Sequence, residues 1–124
     1  NEQDANAQGI PYEVTRFEFA ELDRAIADEA TQGFIKVLTV PGKDRILGAT
    51  LVGEHAGDLI AEFVLAMRYK LGLKKILGTI HIYPTLAEGN KYAAGLWQRN
   101  NQPTALLAWV ARYHAWRRDG LRSR

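Results

Sequence analysis

Three side chains able to hold or pass a proton stand close together in the stretch HIYPTLAEGN, residues 81–90: His81, Tyr83 and Glu88. An imidazole exchanges protons near neutral pH, and a carboxylate can act as base or pair with a histidine. A phenol titrates near ~10, so it donates a hydrogen bond but is a poor general base at neutral pH. The same stretch has a plainer reading. Thr85 followed by Glu88 is the S/T-x-x-E capping box, in which the two side chains satisfy free backbone groups at a helix start. His81 and Tyr83, two apart in extended chain, point to the same side. On pattern alone, capping outweighs catalysis for Glu88.

The remaining candidates for chemistry are few. The chain has no cysteine, which excludes a disulfide framework, thiol catalysis within these residues and thiolate metal sites. A metal site would have to draw on His55, His81 and His114 with carboxylates such as Glu54 or Glu88, and their spacing matches no ligand motif. His55 falls at the start of a helix, where a local structural role suits it better. From Arg99 onward six arginines face a single acid, Asp119, a balance of +5, while the first 98 residues carry −3. Arg112, Arg117 and Arg118 alternate there with Trp109, Tyr113 and Trp116, so a stand-alone binding module for nucleic acid or an anionic membrane surface is one reading. The aromatics share one helical face, however, as a packing stripe does, with the arginines as its solvated side.

Elements must position these residues. The 124-residue chain, 47% hydrophobic, is the size of one domain with a single core. No apolar run approaches the ~18–20 residues of a membrane span. NEQDANAQG reads as the end of a short helix stopped by Gly9, and Tyr12 to Phe19 alternates as a strand. AELDRAIADEA predicts a short helix with Leu22, Ala25 and Ile26 on one face. GFIKVLTV and RILGATLVG, joined by Pro41 to Asp44, predict a β-hairpin with apolar residues on both faces, and Gly48 allows a close neighbour or a bulge. Leu59, Ile60, Phe63, Val64, Met67 and Leu71 make the clearest helical stripe, ended at Gly72. A loop through Lys74 and Lys75 leads to a helix running to about Arg99, and a last helix starts near Pro103. Strands mixed with helices around a hairpin make the fold class α+β. The start at Asn1, on a helix-like phrase, reads as a fragment of something longer. The residues alone leave function open.

Several segments together resemble the C-terminal dimerisation domain of the pyridine nucleotide-disulfide oxidoreductases, the family of glutathione reductase, dihydrolipoyl dehydrogenase and mercuric reductase. GFIKVLTVPGKDRILGATLVGEHAGDLIAEFVLAM is similar to the family's hairpin and following helix, including a G-x-x-A step at Gly53 and Ala56. HIYPTLAE is similar to its H-x-H-P-T-x-x-E signature, and NEQDA to the end of a phrase that usually reads T-E-x-x-A. The likeness divides the chain into residues 1–99, a dimerisation domain truncated at its N-terminal side, and residues 100–124, a basic Trp/Arg-rich helix and tail. That tail is similar to family members fused to a SNARE-associated-Golgi-type membrane domain.

The resemblance implies an antiparallel sheet flanked by helices that pairs two subunits. It also implies upstream FAD- and NAD(P)-binding domains in the parent protein, with neither cofactor bound by this fragment alone. In such enzymes the signature reaches across the dimer, and its second histidine works with the glutamate beside the partner's redox cysteines near the flavin. By the same likeness Tyr83, Glu88 and His81 are the residues lent to the partner's site. Tyr83 stands where the second histidine is usual, which puts ordinary dithiol acid–base catalysis in doubt. Mercuric reductases also carry tyrosine there but end in a cysteine pair, which this chain lacks. The expectation is a homodimer that catalyses nothing by itself and binds no nucleic acid. Its location is cytoplasmic, or on the cytoplasmic face of a membrane if the parent carries the fused membrane domain.

Overall fold

The structure is a computed structural model and describes residues 1–102. The last helix expected from Pro103, its arginines and the reading of them as a nucleic-acid or membrane surface lie outside the described residues.

Three strands, β1 (Glu13–Glu18), β2 (Phe34–Thr39) and β3 (Ile46–Val52), pair antiparallel in that order. Their alternation sorts the side chains: Thr15, Phe17, Ile35 and Val37 are buried on one face, while Arg16 and Lys36 sit opposite each other on the second. The expected double-sided apolar pattern is confirmed at β2, where Leu38 on the second face is also buried. The hairpin closes at Pro41 to Asp44, with Gly42 at φ +68° and Val40 N–H donating to Arg45 O at 3.0 Å. A bulge at Leu38/Thr39 leaves Leu47 unpaired beside Gly48.

Helix α1 (Glu2–Ala7) opens on a complete capping box at Asn1 and Asp4, ends with Gly9 left-handed, and is tied to the second sheet face by an ion pair between Glu2 and Lys36. After β1 the chain makes a 3₁₀ turn (Phe19–Glu21) and a short helix α2 (Asp23–Ala27). Leu22 and Ala25 are buried there as expected, but Ile26 is exposed, because two short turns cover less of the core than one continuous helix would. The fully buried Phe19 ring lies against Gly33 and Gly53. A Cβ on Gly53 would stand 2.7 Å from that ring, and its φ of +137° suits only glycine.

The long helix is α3 (Ala56–Arg68), whose Leu59, Phe63 and Ala66 reach the core. The expected stripe splits: Val64, Met67 and Leu71 remain exposed on one flank. Gly72 does not end the helix. Lys70 does, at φ +57°, with Leu71 N–H donating to Ala66 O at 2.7 Å and Lys70 N–H to Met67 O at 3.2 Å, the Schellman pattern. Gly72 is needed for another reason: a Cβ there would run into the Asp44 side chain and its carbonyl. The loop expected through Lys74 and Lys75 is a helical turn, α4 (Leu73–Leu77), because Leu73 and Ile76, three apart, both drop into the core. Helix α5 (Glu88–Asn100) then packs Ala93, Ala94 and Trp97 on α4 and the sheet.

Candidate functional site

The loop between α4 and α5, residues 78–87, holds most of the sequence-predicted residues, and the structure sends them to different places. His81 turns inward, its side chain 6% exposed. Its Nε2 faces both carboxylate oxygens of Glu62 on α3, at 3.0 and 3.1 Å, and its Nδ1 faces the Thr79 carbonyl at 3.0 Å. Tyr83 turns outward, 66% exposed, and its hydroxyl donates to Asp23 Oδ2 on α2 at 3.1 Å. The expectation that His81 and Tyr83 point to one side is therefore corrected. The loop is not a strand, so its side chains do not follow two-residue alternation. The Tyr83–Pro84 peptide bond is cis.

Glu88 opens α5 and is nearly buried, at 5% exposure. Its Oε2 accepts from Thr85 N–H at 3.3 Å, and its Oε1 from the Tyr92 hydroxyl at 3.4 Å. Half of the expected capping box is thus made. The Thr85 hydroxyl forms no cap; it donates backward to Ile82 O at 2.7 Å, since a turn at Leu86 and Ala87 intervenes before the helix starts. His55, expected at the head of a helix, takes a left-handed conformation there, with Nδ1 3.3 Å from Asp58.

Electrostatics hold both tyrosines in the protonated form. The hydrogen bond to Asp23 and that carboxylate's charge raise the Tyr83 phenol above its ordinary value of 10.0, with smaller help from desolvation and Glu88. Desolvation raises Tyr92 first, followed by the charge and hydrogen bond of Glu88. The Tyr92 ring packs on Phe17 with centroids 5.7 Å apart. At neutral pH the exposed group of this site is accordingly a phenol that donates.

Four residues that sequence reasoning passed over complete the cluster: Asp23, Glu62, Asn90 and Tyr92. The buried Asn90 amide donates to Leu59 O at 3.0 Å and to Glu62 Oε2 at 2.8 Å, bracing the carboxylate that meets His81. Glu62 had a signal, lying three residues after Leu59 and four before Ala66, at the margin of the core face. Asn90 had one too, as a polar residue three before Ala93. Asp23 had none, because its partner is 60 residues away. Among the described residues no group of three or more His, Asp or Glu side chains converges as a metal site.

Residues 1–94 match the pyridine nucleotide-disulphide oxidoreductase dimerisation domain. The chain belongs to that family.

The match takes in every residue of the cluster, from Asp23 to Tyr92. Among its relatives, the dimerisation domain is 45% identical over 94 residues to a dihydrolipoamide dehydrogenase of Chaetomium thermophilum, covering 76% of this chain and 19% of that protein. It is 42% identical over 93 residues to a mitochondrial dihydrolipoyl dehydrogenase of Dictyostelium discoideum, covering 75% of this chain and again 19% of the relative. The chain thus spans about a fifth of the length of the curated relatives it matches. The fold superposes on the HOCl-induced flavoprotein disulfide reductase RclA of Escherichia coli with a TM-score of 0.71 at 23% identity, covering 77% of this chain and 22% of that one. The α+β sheet-and-helix architecture is that of these dimerisation domains.

Proposed function

We propose that this dimerisation domain forms the homodimer of a flavin-dependent oxidoreductase and lends the loop that carries Tyr83 to the active site of the partner subunit. One observation carries the reading: the loop turns Ile80, Ile82 and Tyr83 out to solvent, 86%, 70% and 66% exposed, while His81 fastens it from below. Three large side chains held outward on a fastened loop form a surface built to be covered. Val64 and Met67, exposed along α3, and Leu71 just past its end extend that surface and supply the apolar contact between subunits.

Within the site Tyr83 acts as a hydrogen-bond donor and not as a base, in keeping with its raised pKa. Glu88 sets the start of α5 and adds negative charge near both phenols. His81, engaged at both ring nitrogens, anchors the loop from within. The described strands pair only antiparallel, so the described residues hold no parallel βα turn of the kind that cradles a dinucleotide pyrophosphate. On this reading FAD and NAD(P) belong to other domains of the parent, and no catalysis is expected of the chain alone. The relatives named dihydrolipoyl dehydrogenase and flavoprotein disulfide reductase support a flavin-bearing parent. We place the parent in the cytoplasm, or on the cytoplasmic face of a membrane if it carries a membrane domain. No helix among the described residues is long and apolar enough to cross one.

The test is a visible absorption spectrum of the parent protein before and after anaerobic addition of NADH or NADPH, repeated for Tyr83→Phe. Flavin bands that bleach, with reoxidation by an acceptor slowed in Tyr83→Phe while bleaching is unchanged, are the expected result. A parent that retains no flavin after reconstitution would overturn the assignment.

A further inference from the structure

We propose that Glu62 is a positioning residue. Through His81 it fixes the Tyr83 loop to helix α3, so that the helix proposed to pair the subunits also sets where Tyr83 lies in the partner's site. The inference rests on the functional reading above and adds a residue and a linkage to it.

Leu86 and Ala87 pack the C-terminal end of the loop against the core, but Ile80, Ile82 and Tyr83 at its middle face solvent, so packing does not hold that part. Directed contacts hold it instead. The Thr79 hydroxyl donates to Lys75 O of α4 at 2.8 Å, the Thr85 hydroxyl to Ile82 O within the loop at 2.7 Å, and the exposed Tyr83 hydroxyl to Asp23 of α2 at 3.1 Å. At its middle, the enclosed His81 ring reaches across to α3, 19 residues away. Its Nδ1 and Nε2 both face acceptors, the Thr79 carbonyl and the Glu62 carboxylate. With its proton on Nε2 the ring donates to the Glu62 carboxylate, a charge-assisted and directional bond.

The carboxylate in turn is not free to follow the loop. Asn90 donates to Glu62 Oε2 at 2.8 Å and spends its second amide hydrogen on the Leu59 carbonyl of α3 at 3.0 Å. Rotating the Asn90 amide by half a turn would aim its oxygen at two acceptors, so the assignment is determined by its partners. A closed path results, running from the α3 backbone through Asn90 and Glu62 to His81 and the loop. On the helical wheel Glu62 lies across α3 from Val64 and Met67. One flank of the helix is left to a partner subunit, and the other holds the loop that carries Tyr83.

Hydrogen–deuterium exchange of the parent protein tests the linkage, comparing wild type with Glu62→Ala, His81→Ala and His81→Gln. The glutamine amide keeps an N–H donor where Nε2 stands, while the alanine methyl keeps none. Losing a hydrogen bond to a charged group raises local opening by about ten-fold or more. Amides of residues 79–85 are expected to exchange about ten-fold faster in Glu62→Ala and His81→Ala, with residues 34–39 unchanged. In His81→Gln they are expected to stay within about two-fold of wild type. Exchange in His81→Gln as fast as in His81→Ala, or an unchanged loop in Glu62→Ala, would overturn the proposal, since contacts other than this bond would then hold the loop. Anaerobic flavin reduction by NAD(P)H, followed in the same samples, is expected to be unaltered by Glu62→Ala. Its complete absence in wild type would refute the oxidoreductase reading, while the exchange data still decide whether Glu62 holds the loop.

Discussion

Gly89, the second residue of α5, sets propensity against packing in a way that can be measured. Replacing a helical glycine by alanine ordinarily stabilises by roughly 0.4–1 kcal/mol, since alanine has less backbone freedom to lose. Here a Cβ would stand 2.8 Å from Ile35 Cδ1, 3.5 Å from Leu22 Cδ2 and 3.9 Å from Phe17 Cε1. Ile35 and Leu22 are fully buried, so the Ile35 terminus has nowhere to swing. Forcing a methyl group into such a site costs roughly 1–3 kcal/mol, which leaves Gly89→Ala destabilising by about 1 kcal/mol. Ile35→Val removes the one carbon in the closest contact and by itself costs roughly 0.5–1.5 kcal/mol. In the double variant the new methyl enters the space that carbon vacates, so overpacking and cavity cancel. The expected coupling between the two substitutions is about 2 kcal/mol in favour of the pair. Urea unfolding followed by circular dichroism, at one fixed protein concentration because dimerisation contributes to stability, gives all four free energies. Additivity to within roughly 0.5 kcal/mol would refute the packing account, as would a stabilised Gly89→Ala.

Three further outcomes are expected. Asp23→Asn removes the first two causes of the raised Tyr83 pKa, so the phenol should titrate nearer its ordinary value, as read from tyrosinate absorbance against pH. A raised phenol stabilises the fold below the unfolded value and loses that contribution as pH rises through the folded one. Stability above pH ~10 should therefore fall less steeply in Asp23→Asn than in wild type. Lys70→Gly should stabilise by roughly 0.5–1 kcal/mol, because Lys70 holds φ at +57°, whereas Gly72→Ala should destabilise by more than that through its collision with Asp44. Thermal unfolding orders those two against wild type. Met67→Lys, on the exposed flank of α3, should weaken self-association by about ten-fold or more in a sedimentation dilution series and change the far-ultraviolet spectrum little.

The order of elements was legible in the sequence because each is a local pattern. Alternation marks β1, the Pro41-Gly42 joint marks the hairpin, and a 3.6-residue stripe marks α3, all within windows of about a dozen residues. Local misreadings arise where one signal stands in for another. Gly72 reads as a helix stop, although it is required by the approach of Asp44 and the stop falls on Lys70. Lys74 and Lys75 suggest a loop, yet the burial of Leu73 and Ile76 makes that segment helical. Ile26 falls on the inward face of a continuous helix, a face to which two short turns do not extend.

The chemistry divides in the same manner. The residue types at 81, 83 and 88, and the half of the capping box that Glu88 makes, follow from the sequence alone, because capping joins residues three apart. Which way each side chain faces does not. His81 turns inward because Glu62 waits 19 residues earlier in the chain, and Tyr83 turns outward to Asp23, 60 residues earlier. Such pairings carry no periodic signature: a hydrogen bond depends on where two backbones finally lie, and only packing α3 and α5 against the sheet brings these partners within reach of one another.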